Sequence, residues 1–260
     1  MVLRYRRLGT SGLQVSELSF GSWLTFAKQI DEDTAGSLMK LAYDSGINFF
    51  DNAEIYARGE SELTMGRILR KMVWTMHQLI MQGKVMYWGT SEWGANEIRE
   101  AHRIAVEHHL IGPVMEQPQY NLFHREKVER EFAPLYATVG LGTTIWSPLA
   151  SGVLTGKHSL EGDASSRLRM AGLDWLRERE LTEARMRKVK DVKVIADDLG
   201  LSLPVFAIAW CLKNPHVSTV ILGASKEVQL KENLTAVEAQ DKLTPEVMER
   251  IESVLDGSPA

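Results

Sequence analysis

The chain has 260 residues, enough for one large α/β domain or two smaller ones. Its 34 acidic and 30 basic residues give a net charge of −4, and the lack of a basic tail argues against a nucleic-acid-binding surface. No apolar run approaches the roughly 20 residues of a membrane span, the amino terminus lacks the apolar core of a signal peptide, and a lone Cys211 excludes an internal disulfide. We therefore expect a cytoplasmic protein without direct membrane insertion.

The first elements along the chain are predicted to be a hairpin, a strand and a helix. Residues 4–18 form two short alternating runs around a turn at Gly9-Thr10-Ser11-Gly12, which is typical of a β-hairpin. Residues 18–20 predict a buried strand that ends at Gly21. Residues 31–44 have the apolar stripe of an amphipathic helix, which Ser45 and Gly46 end.

The next stretch, residues 47–56, reads I-N-F-F-D-N-A-E-I-Y. Its apolar run is typical of a strand buried on both faces, as in a parallel sheet. Asp51 ends this strand and Tyr56 follows in a polar loop. Catalytic groups of α/β folds lie at the carboxyl ends of strands, so Asp51 and Tyr56 are candidate catalytic residues. A turn-capping aspartate and a surface tyrosine are the structural alternative, and the two residues alone leave both interpretations open.

Later segments repeat the same strand-then-helix pattern. Strands are predicted at 85–89, 114–117, 143–146 and 218–222, and helices at 96–108, near 125, at about 183–199 and at 203–213. Repeated βα units predict a parallel sheet, open or closed into a barrel. We find no dividing linker, so we expect a single domain over residues 1–260.

Several kinds of site are disfavoured by what the sequence lacks. No Gly-x-Gly-x-x-Gly follows a strand and no Walker-type loop is present, so Rossmann and P-loop nucleotide sites lose their main support. The seven histidines do not have metal-site spacing, and we predict no metal. Cys211 lies in an apolar helical context, which favours a buried core thiol over a nucleophile.

Six motifs, in this order, resemble the aldo-keto reductases: F-G-S-W, F-F-D-N-A-E-I-Y, Y-W-G-T-S-E-W, E-Q-P-Q-Y-N, W-S-P-L-A-S-G-V-L-T-G-K and L-G-A-S-K-E-V-Q-L-K-E-N-L. The sequence is most similar to the branch that contains the potassium-channel β subunits and their bacterial relatives. The resemblance implies an α/β fold of the (β/α)₈ TIM-barrel type with the site at the carboxyl ends of the strands. It also implies NADP(H) as cofactor and a small carbonyl compound as substrate.

The resemblance assigns roles to individual residues. Tyr56 would be the general acid that protonates the carbonyl oxygen, with Asp51 as its partner in the catalytic tetrad. The residues expected to contact the cofactor are Gly21, Ser22, Trp23, Ser91, Gln117, Trp146, Ser147, Pro148, Leu149, Gly152, Lys157, Arg167, Gly223, Ser225, Gln229, Glu232 and Asn233. Among them, Ser91 and Gln117 match groups that hold the carboxamide. Lys157 and Arg167 suit a 2′-phosphate because they offer fixed positive charge. Lys157 as a solvated loop residue and Trp146 as a core residue are the structural alternatives.

The chain departs from the family pattern after Met72. About two βα units are absent, at roughly 30 residues per βαβ unit, and with them the strands that end in the catalytic Lys and His. Lys71 and His77 are near the break, but they lie in a helical pattern, so we interpret them as solvated helix residues. The apolar spacing continues in phase across the break, which predicts one helix over residues 60–82. Six parallel strands remain, an incomplete barrel whose exposed edges predict a homo-oligomer or aggregation.

The missing residues decide what activity to expect. Without the Lys, Tyr56 would keep an unperturbed pKa near 10, and general acid catalysis typically contributes about 10²–10⁴-fold to the rate. One hypothesis is therefore an NADP(H)-dependent reductase of aldehydes or ketones with impaired activity. The alternative is a catalytically inactive, NADP(H)-binding regulatory subunit that resembles the channel β subunits. A third hypothesis is a truncated product that does not form a compact barrel.

Overall fold

The computed structural model describes residues 3–21, 37–38, 41–42, 44–51, 65–157 and 174–255. Within these residues the chain begins with an antiparallel hairpin of β1 (Tyr5–Arg7) and β2 (Gln14–Ser16), as predicted. The Arg6 guanidinium donates to the Glu17 carboxylate at 2.6 Å and to the Val217 carbonyl at 2.7 Å. These contacts fasten the hairpin to the start of the last strand of the main sheet.

Six parallel strands form the main sheet, the number that the sequence predicts. In chain order they are β3 (Leu18–Gly21), β4 (Phe50–Asp51), β5 (Gly89–Ser91), β6 (Met115–Gln117), β7 (Gly142–Ile145) and β8 (Val217–Leu222). Their order across the sheet is β4-β3-β8-β7-β6-β5, and each neighbouring pair is parallel. The first strand of the series pairs with the last, as in a (β/α)₈ barrel. The two ends of the sheet, β4 and β5, flank the position of the absent βα units, so the fold is a partial barrel of this type.

Helices follow the strands, as expected for βα units. They are α1 (Met65–Met81), α2 (Ala95–Glu107), α3 (Ala133–Thr138), α4 (Asp174–Glu180), α5 (Glu183–Asp198), α6 (Leu203–Lys213), α7 (Glu227–Leu234), α8 (Ala236–Ala239) and α9 (Pro245–Leu255). Shorter helical turns occur at Lys127–Glu131, Ala150–Thr155 and Gln240–Lys242. The described part of the predicted 31–44 helix is helical at residues 37–38, 41–42 and 44.

Helix α1 continues through the break that the sequence places after Met72. Val73 is fully buried, and Met76 and Ile80 are partly buried on the same side, as the i, i+3 and i+7 spacing requires. Val73 belongs to a core cluster with Trp88 and Ile98, so the helix packs on the unit that follows it. The prediction of one uninterrupted helix is confirmed over Met65–Met81, while residues 60–64 lie outside the described part.

A second, larger core surrounds α6, whose residues from Leu203 to Leu212 are buried on all sides apart from Pro204. Cys211 is buried in this core, as predicted, and burial raises the pKa of its thiol well above its usual range. No single helix of the described ranges is long and apolar enough to cross a membrane. Helices α5 and α6 meet that test only as a pair, bent by 89°.

Candidate active site

The register of the sheet brings the predicted site residues to one edge. Gly21 pairs with Asp51 at the ends of β3 and β4, and Ser91 pairs with Gln117 at the ends of β5 and β6. One step beyond these strands, Gln119 forms a parallel bridge with Trp146. Because the strands are parallel, all of these positions lie at their carboxyl ends, where the active sites of this fold class are built.

Ser91 and Gln117, the two residues predicted to hold a carboxamide, are adjacent. The Ser91 hydroxyl donates to the backbone carbonyl of Gln117 at 3.1 Å, and the Ser91 side chain is exposed. A hydroxyl oxygen keeps two lone pairs when its hydrogen is engaged, so Ser91 can still accept from an amide N–H. The strand that was predicted over 85–89 is in fact Gly89–Ser91, so Ser91 belongs to the strand rather than to the following turn.

The loop from Trp146 to Gly152 has an unusual backbone. Ser147, Ala150 and Ser151 have φ values of 55°, 48° and 57°, and Gly152 has 98°. Side chains disfavour this left-handed region, and such strain concentrates at ligand-binding sites. The Asn121 side-chain amide donates to the Ser147 carbonyl at 2.9 Å and fixes the turn. Within the same loop, Pro148 is buried and Leu149 is partly buried.

Glu92, which sequence reasoning did not select, connects the ends of three strands. Its carboxylate accepts from the Gln119 backbone N–H at 2.7 Å and from the Trp146 indole Nε1–H at 2.8 Å. Its other oxygen pairs with Lys127 Nζ at 2.8 Å. Glu92 itself has a φ of 61°. The available signal was its place in T-S-E-W, where an acid follows the matched Ser91 shortly after the predicted strand.

A second carboxyl, that of Glu116, lies beneath this edge of the sheet. It is fully buried, bonded to the Thr90 hydroxyl, and accepts from the Trp93 backbone N–H at 3.0 Å. Burial raises the pKa of Glu116 to about 7, although both hydrogen bonds and Lys127 favour the ionised form. Glu116 is therefore partly protonated at neutral pH.

The residues predicted for the adenosine end follow β8. Gln229 accepts at its side-chain oxygen from the Ser225 backbone N–H and hydroxyl at 3.0 and 3.1 Å and from the Lys226 backbone N–H at 3.2 Å. The Gln229 amide thus caps the start of α7. Gly223 and Glu232 are exposed, and Asn233 is buried on the same helix.

The remaining predicted residues are only partly described. Lys157 has an exposed side chain just after the Ala150–Thr155 turn. The backbone of Gly21 and Asp51 is described, whereas Ser22, Trp23, Tyr56 and Arg167 lie outside the described residues.

Lys71 and His77, the two residues nearest the break, lie within α1 as predicted. The interpretation of His77 as solvated is wrong, because its side chain is half-buried and its Nδ1 has no hydrogen-bond partner in the described part of the chain. A helical position between β4 and β5 does not bring His77 to a strand end.

A groove of about 500 Å³ lies at the opposite end of the sheet. Arg7, Tyr136 and His216 contribute to its wall, next to the amino ends of β7 and β8. None of the predicted site residues lines it, so we do not assign it to the candidate site.

Comparison with known proteins agrees with a partial (β/α)₈ fold. The model of the aldo/keto reductase family matches residues 17–75 and 71–256. The chain belongs to the aldo/keto reductase family. The two matched segments meet at residues 71–75, where the sequence departs from the family pattern.

Two curated relatives share the name "Probable voltage-gated potassium channel subunit beta". The protein from Oryza sativa subsp. japonica is 41% identical over 322 residues, covering 99% of this chain and 98% of the relative. The protein from Arabidopsis thaliana is 40% identical over 321 residues with the same coverage. Because 260 residues cannot fill 322 aligned positions, about 60 of them lie opposite gaps in this chain, the length of roughly two βαβ units.

Proposed function

We propose that this aldo/keto reductase binds NADP(H) at the carboxyl edge of its sheet and reduces small aldehydes or ketones, at a rate lowered by the missing Lys and His. The observation that supports it best is the convergence of the predicted cofactor residues. Strand ends from β3 to β8 contribute Gly21, Ser91, Gln117, Trp146 and Gly223 to one edge. The lone buried cysteine and the family likeness support a cytoplasmic location.

The described residues fit such a cofactor chemically. Ser91 offers an exposed hydroxyl and Gln117 a side-chain amide, the donor and acceptor types that a nicotinamide carboxamide needs. The buried Ser151 hydroxyl and Gln119 Nε2 have no partner among the described residues, which marks unused hydrogen-bonding capacity beside the strained loop. Lys157 and Arg167 would hold the 2′-phosphate, and Gln229 and Asn233 would hold the adenosine end.

The bound nicotinamide would supply the hydride, and the protein would supply orientation and a proton. Tyr56 would donate its hydroxyl proton to the carbonyl oxygen as negative charge develops there. In the family a Lys paired with the Asp makes this tyrosine a stronger acid, and the chain lacks that Lys. Without that Lys the pKa of the tyrosine would no longer be lowered. Part of the rate acceleration from general acid catalysis, typically about 10²–10⁴-fold, would therefore be lost.

An NADP(H)-binding regulatory subunit without turnover is the second candidate. The names of the rice and Arabidopsis relatives favour it, as does the loss of two members of the catalytic tetrad. Under this alternative the cofactor would regulate binding of a protein partner rather than react.

A titration with NADPH, followed by tryptophan fluorescence, tests cofactor binding. We expect saturable quenching, and Lys157→Ala should weaken the affinity about tenfold or more, since a charge-assisted hydrogen bond contributes about 1.5–3 kcal/mol. Lys84→Ala is the matched control, because Lys84 is an exposed lysine that precedes β5 and so lies at the other end of the sheet. Absence of saturable binding, or equal effects of the two variants, would contradict the proposal.

Carbonyl-dependent NADPH oxidation then separates the two candidates. Turnover that exceeds the rate of a Tyr56→Phe variant supports the reductase. Binding without turnover above that variant supports the regulatory subunit.

A further inference from the structure

Glu92 adopts a conformation that its residue type disfavours. Its φ of 61° is left-handed, and Glu92 has no short side chain that would bond its own backbone there. A non-glycine residue in this region costs on the order of 1 kcal/mol or more, so surrounding contacts must hold it in place. Its backbone N–H donates to the Gln117 carbonyl at 3.4 Å, and its carboxylate makes further contacts.

The carboxylate joins the loops that follow β6 and β7 to the end of β5. One oxygen accepts from both the Gln119 N–H and the Trp146 indole N–H. The other pairs with Lys127, which also donates to the Glu92 backbone carbonyl at 3.0 Å. A single side chain therefore fixes a backbone segment and an indole ring on two different loops.

The Trp146 backbone is already fixed without Glu92. Trp146 donates to the Pro118 carbonyl at 3.1 Å and accepts from the Tyr120 N–H at 3.2 Å. These bonds hold the main chain rather than the indole ring. The hydrogen bond from the indole Nε1–H to the Glu92 carboxylate contributes to the orientation of this half-buried ring.

We infer that Glu92 is a positioning residue of the cofactor site, acting through the orientation of the Trp146 indole and the Gln119 backbone. The inference rests on the proposed function, since it concerns the same site. The competing explanation is a surface ion pair with Lys127, which would contribute about 0–1 kcal/mol to stability and nothing specific to binding.

Two conservative substitutions separate these explanations. Glu92→Gln removes the charge but keeps a carbonyl oxygen at the same reach, so it can still accept from both N–H groups. Glu92→Asp keeps the charge but is one methylene shorter, so it cannot reach both donors while the backbone stays in place. Positioning predicts NADPH affinity within about threefold of wild type for Glu92→Gln and a loss of about tenfold for Glu92→Asp. A surface ion pair alone predicts NADPH affinity within about threefold of wild type for both variants.

Lys127→Met provides the control for the ion pair. It should leave NADPH affinity within about threefold, because the two N–H bonds to Glu92 remain. A loss for Lys127→Met as large as that for Glu92→Asp would overturn the inference.

Hydrogen exchange of the Trp146 indole N–H, measured by NMR, gives a readout that does not require cofactor. Trp146→Phe identifies the signal. We expect slow exchange in wild type and Glu92→Gln, and at least tenfold faster exchange in Glu92→Asp; equal exchange in all three would overturn the inference. If wild type fails to bind NADPH, the proposed function fails, while this exchange measurement still decides whether Glu92 positions the indole.

Discussion

At the level of single residues, Glu116 gives the protein a pH-dependent stability. Its ordinary carboxyl pKa of 4.5 rises to about 7 in the folded protein because the group is buried. Between these values the folded chain binds a proton that the unfolded chain has released, so the free energy of unfolding falls as pH rises. Below about pH 4.5 Glu116 is protonated in both the folded and the unfolded chain, so its burial no longer lowers the free energy of unfolding.

We predict that the protein is less stable at pH 8 than at pH 5.5 through this group, by about 2 kcal/mol at 1.36 kcal/mol per pKa unit. Glu116→Gln keeps the shape but cannot ionise; its amide oxygen can still accept from the Trp93 N–H, while its amide nitrogen would donate to the Thr90 hydroxyl oxygen. The variant should therefore unfold at higher urea concentration than wild type at pH 8, and the difference should shrink toward pH 5.5. An unchanged difference across this range would show that Glu116 does not titrate in the fold.

The sequence predicts the position of a residue better than its contacts when the residue lies at a strand end. Ser91 and Gln117 were selected on their motifs, and the register places them side by side. Glu92 and Glu116 were missed because their roles depend on which strands become neighbours. A sequence shows that Glu92 follows a strand, but not that its carboxylate reaches the Trp146 loop.

At the level of elements, the turn of the hairpin packs closely against the amino end of β7. Gly9 has a φ of 58°, and a Cβ added there would lie 2.3 Å from the Gly140 carbonyl oxygen and 2.6 Å from the Gly142 nitrogen. The Thr10 N–H donates to the same Gly140 carbonyl at 2.9 Å. Close backbone contact thus requires glycine at this position in addition to the turn geometry.

Gly9→Ala should cost about 2 kcal/mol more than Gly83→Ala. Gly83 is the matched control, since its φ of 68° imposes the same left-handed strain while nothing lies within 4 Å of an added Cβ. The control should lose about 1 kcal/mol, whereas Gly9→Ala must also displace backbone of the sheet. Urea denaturation measures both, and equal losses would contradict tight docking of the hairpin.

Helix α1 joins two parts of the chain that the family separates, and Val73 is its buried contact at the join. Val73→Ala should destabilise the protein by about 2 kcal/mol, because it leaves a cavity in the core cluster that also contains Trp88 and Ile98. Gln78→Ala, on the exposed face of the same helix, should change stability by no more than about 0.5 kcal/mol. Similar effects of the two variants would mean that the face of α1 that carries Val73 is not the face that packs against the core.

Element boundaries were less predictable than element types. The apolar run Val85–Trp88 was predicted as strand, yet the pairing with β6 begins only at Gly89. The physical reason lies in the side chains, since Met86 is 77% exposed and the Trp88 indole N–H donates to the Ile111 carbonyl at 2.9 Å. The same apolar residues are compatible with a buried strand and with the irregular segment that is observed. Only the tertiary contacts distinguish these two conformations.

At the level of the whole molecule, the described strands form a sheet with two ends, β4 and β5. A complete barrel has no edges, whereas β5 has a neighbour on only one side among the described strands, so its other edge can offer backbone N–H and C=O groups to another chain. Apolar side chains are exposed in the same part of the sequence: Trp74, Met81, Met86, Tyr87, Val106 and Ile111. The Trp74 ring lies 5.7 Å from that of His108, which places the middle of α1 beside the carboxyl end of α2.

We therefore predict that the protein self-associates, with the unpaired end of the sheet against the same end of a second copy. Met86→Lys places a charge in this apolar region and should raise the dissociation constant at least tenfold, equivalent to about 1.4 kcal/mol. Val194→Lys is the control, because Val194 is a similarly exposed apolar residue on α5, away from β5 in sequence. Analytical ultracentrifugation over a range of concentrations measures both variants. A monomer at all concentrations, or equal effects of the two lysines, would show that copies of the chain do not cover this end of the sheet.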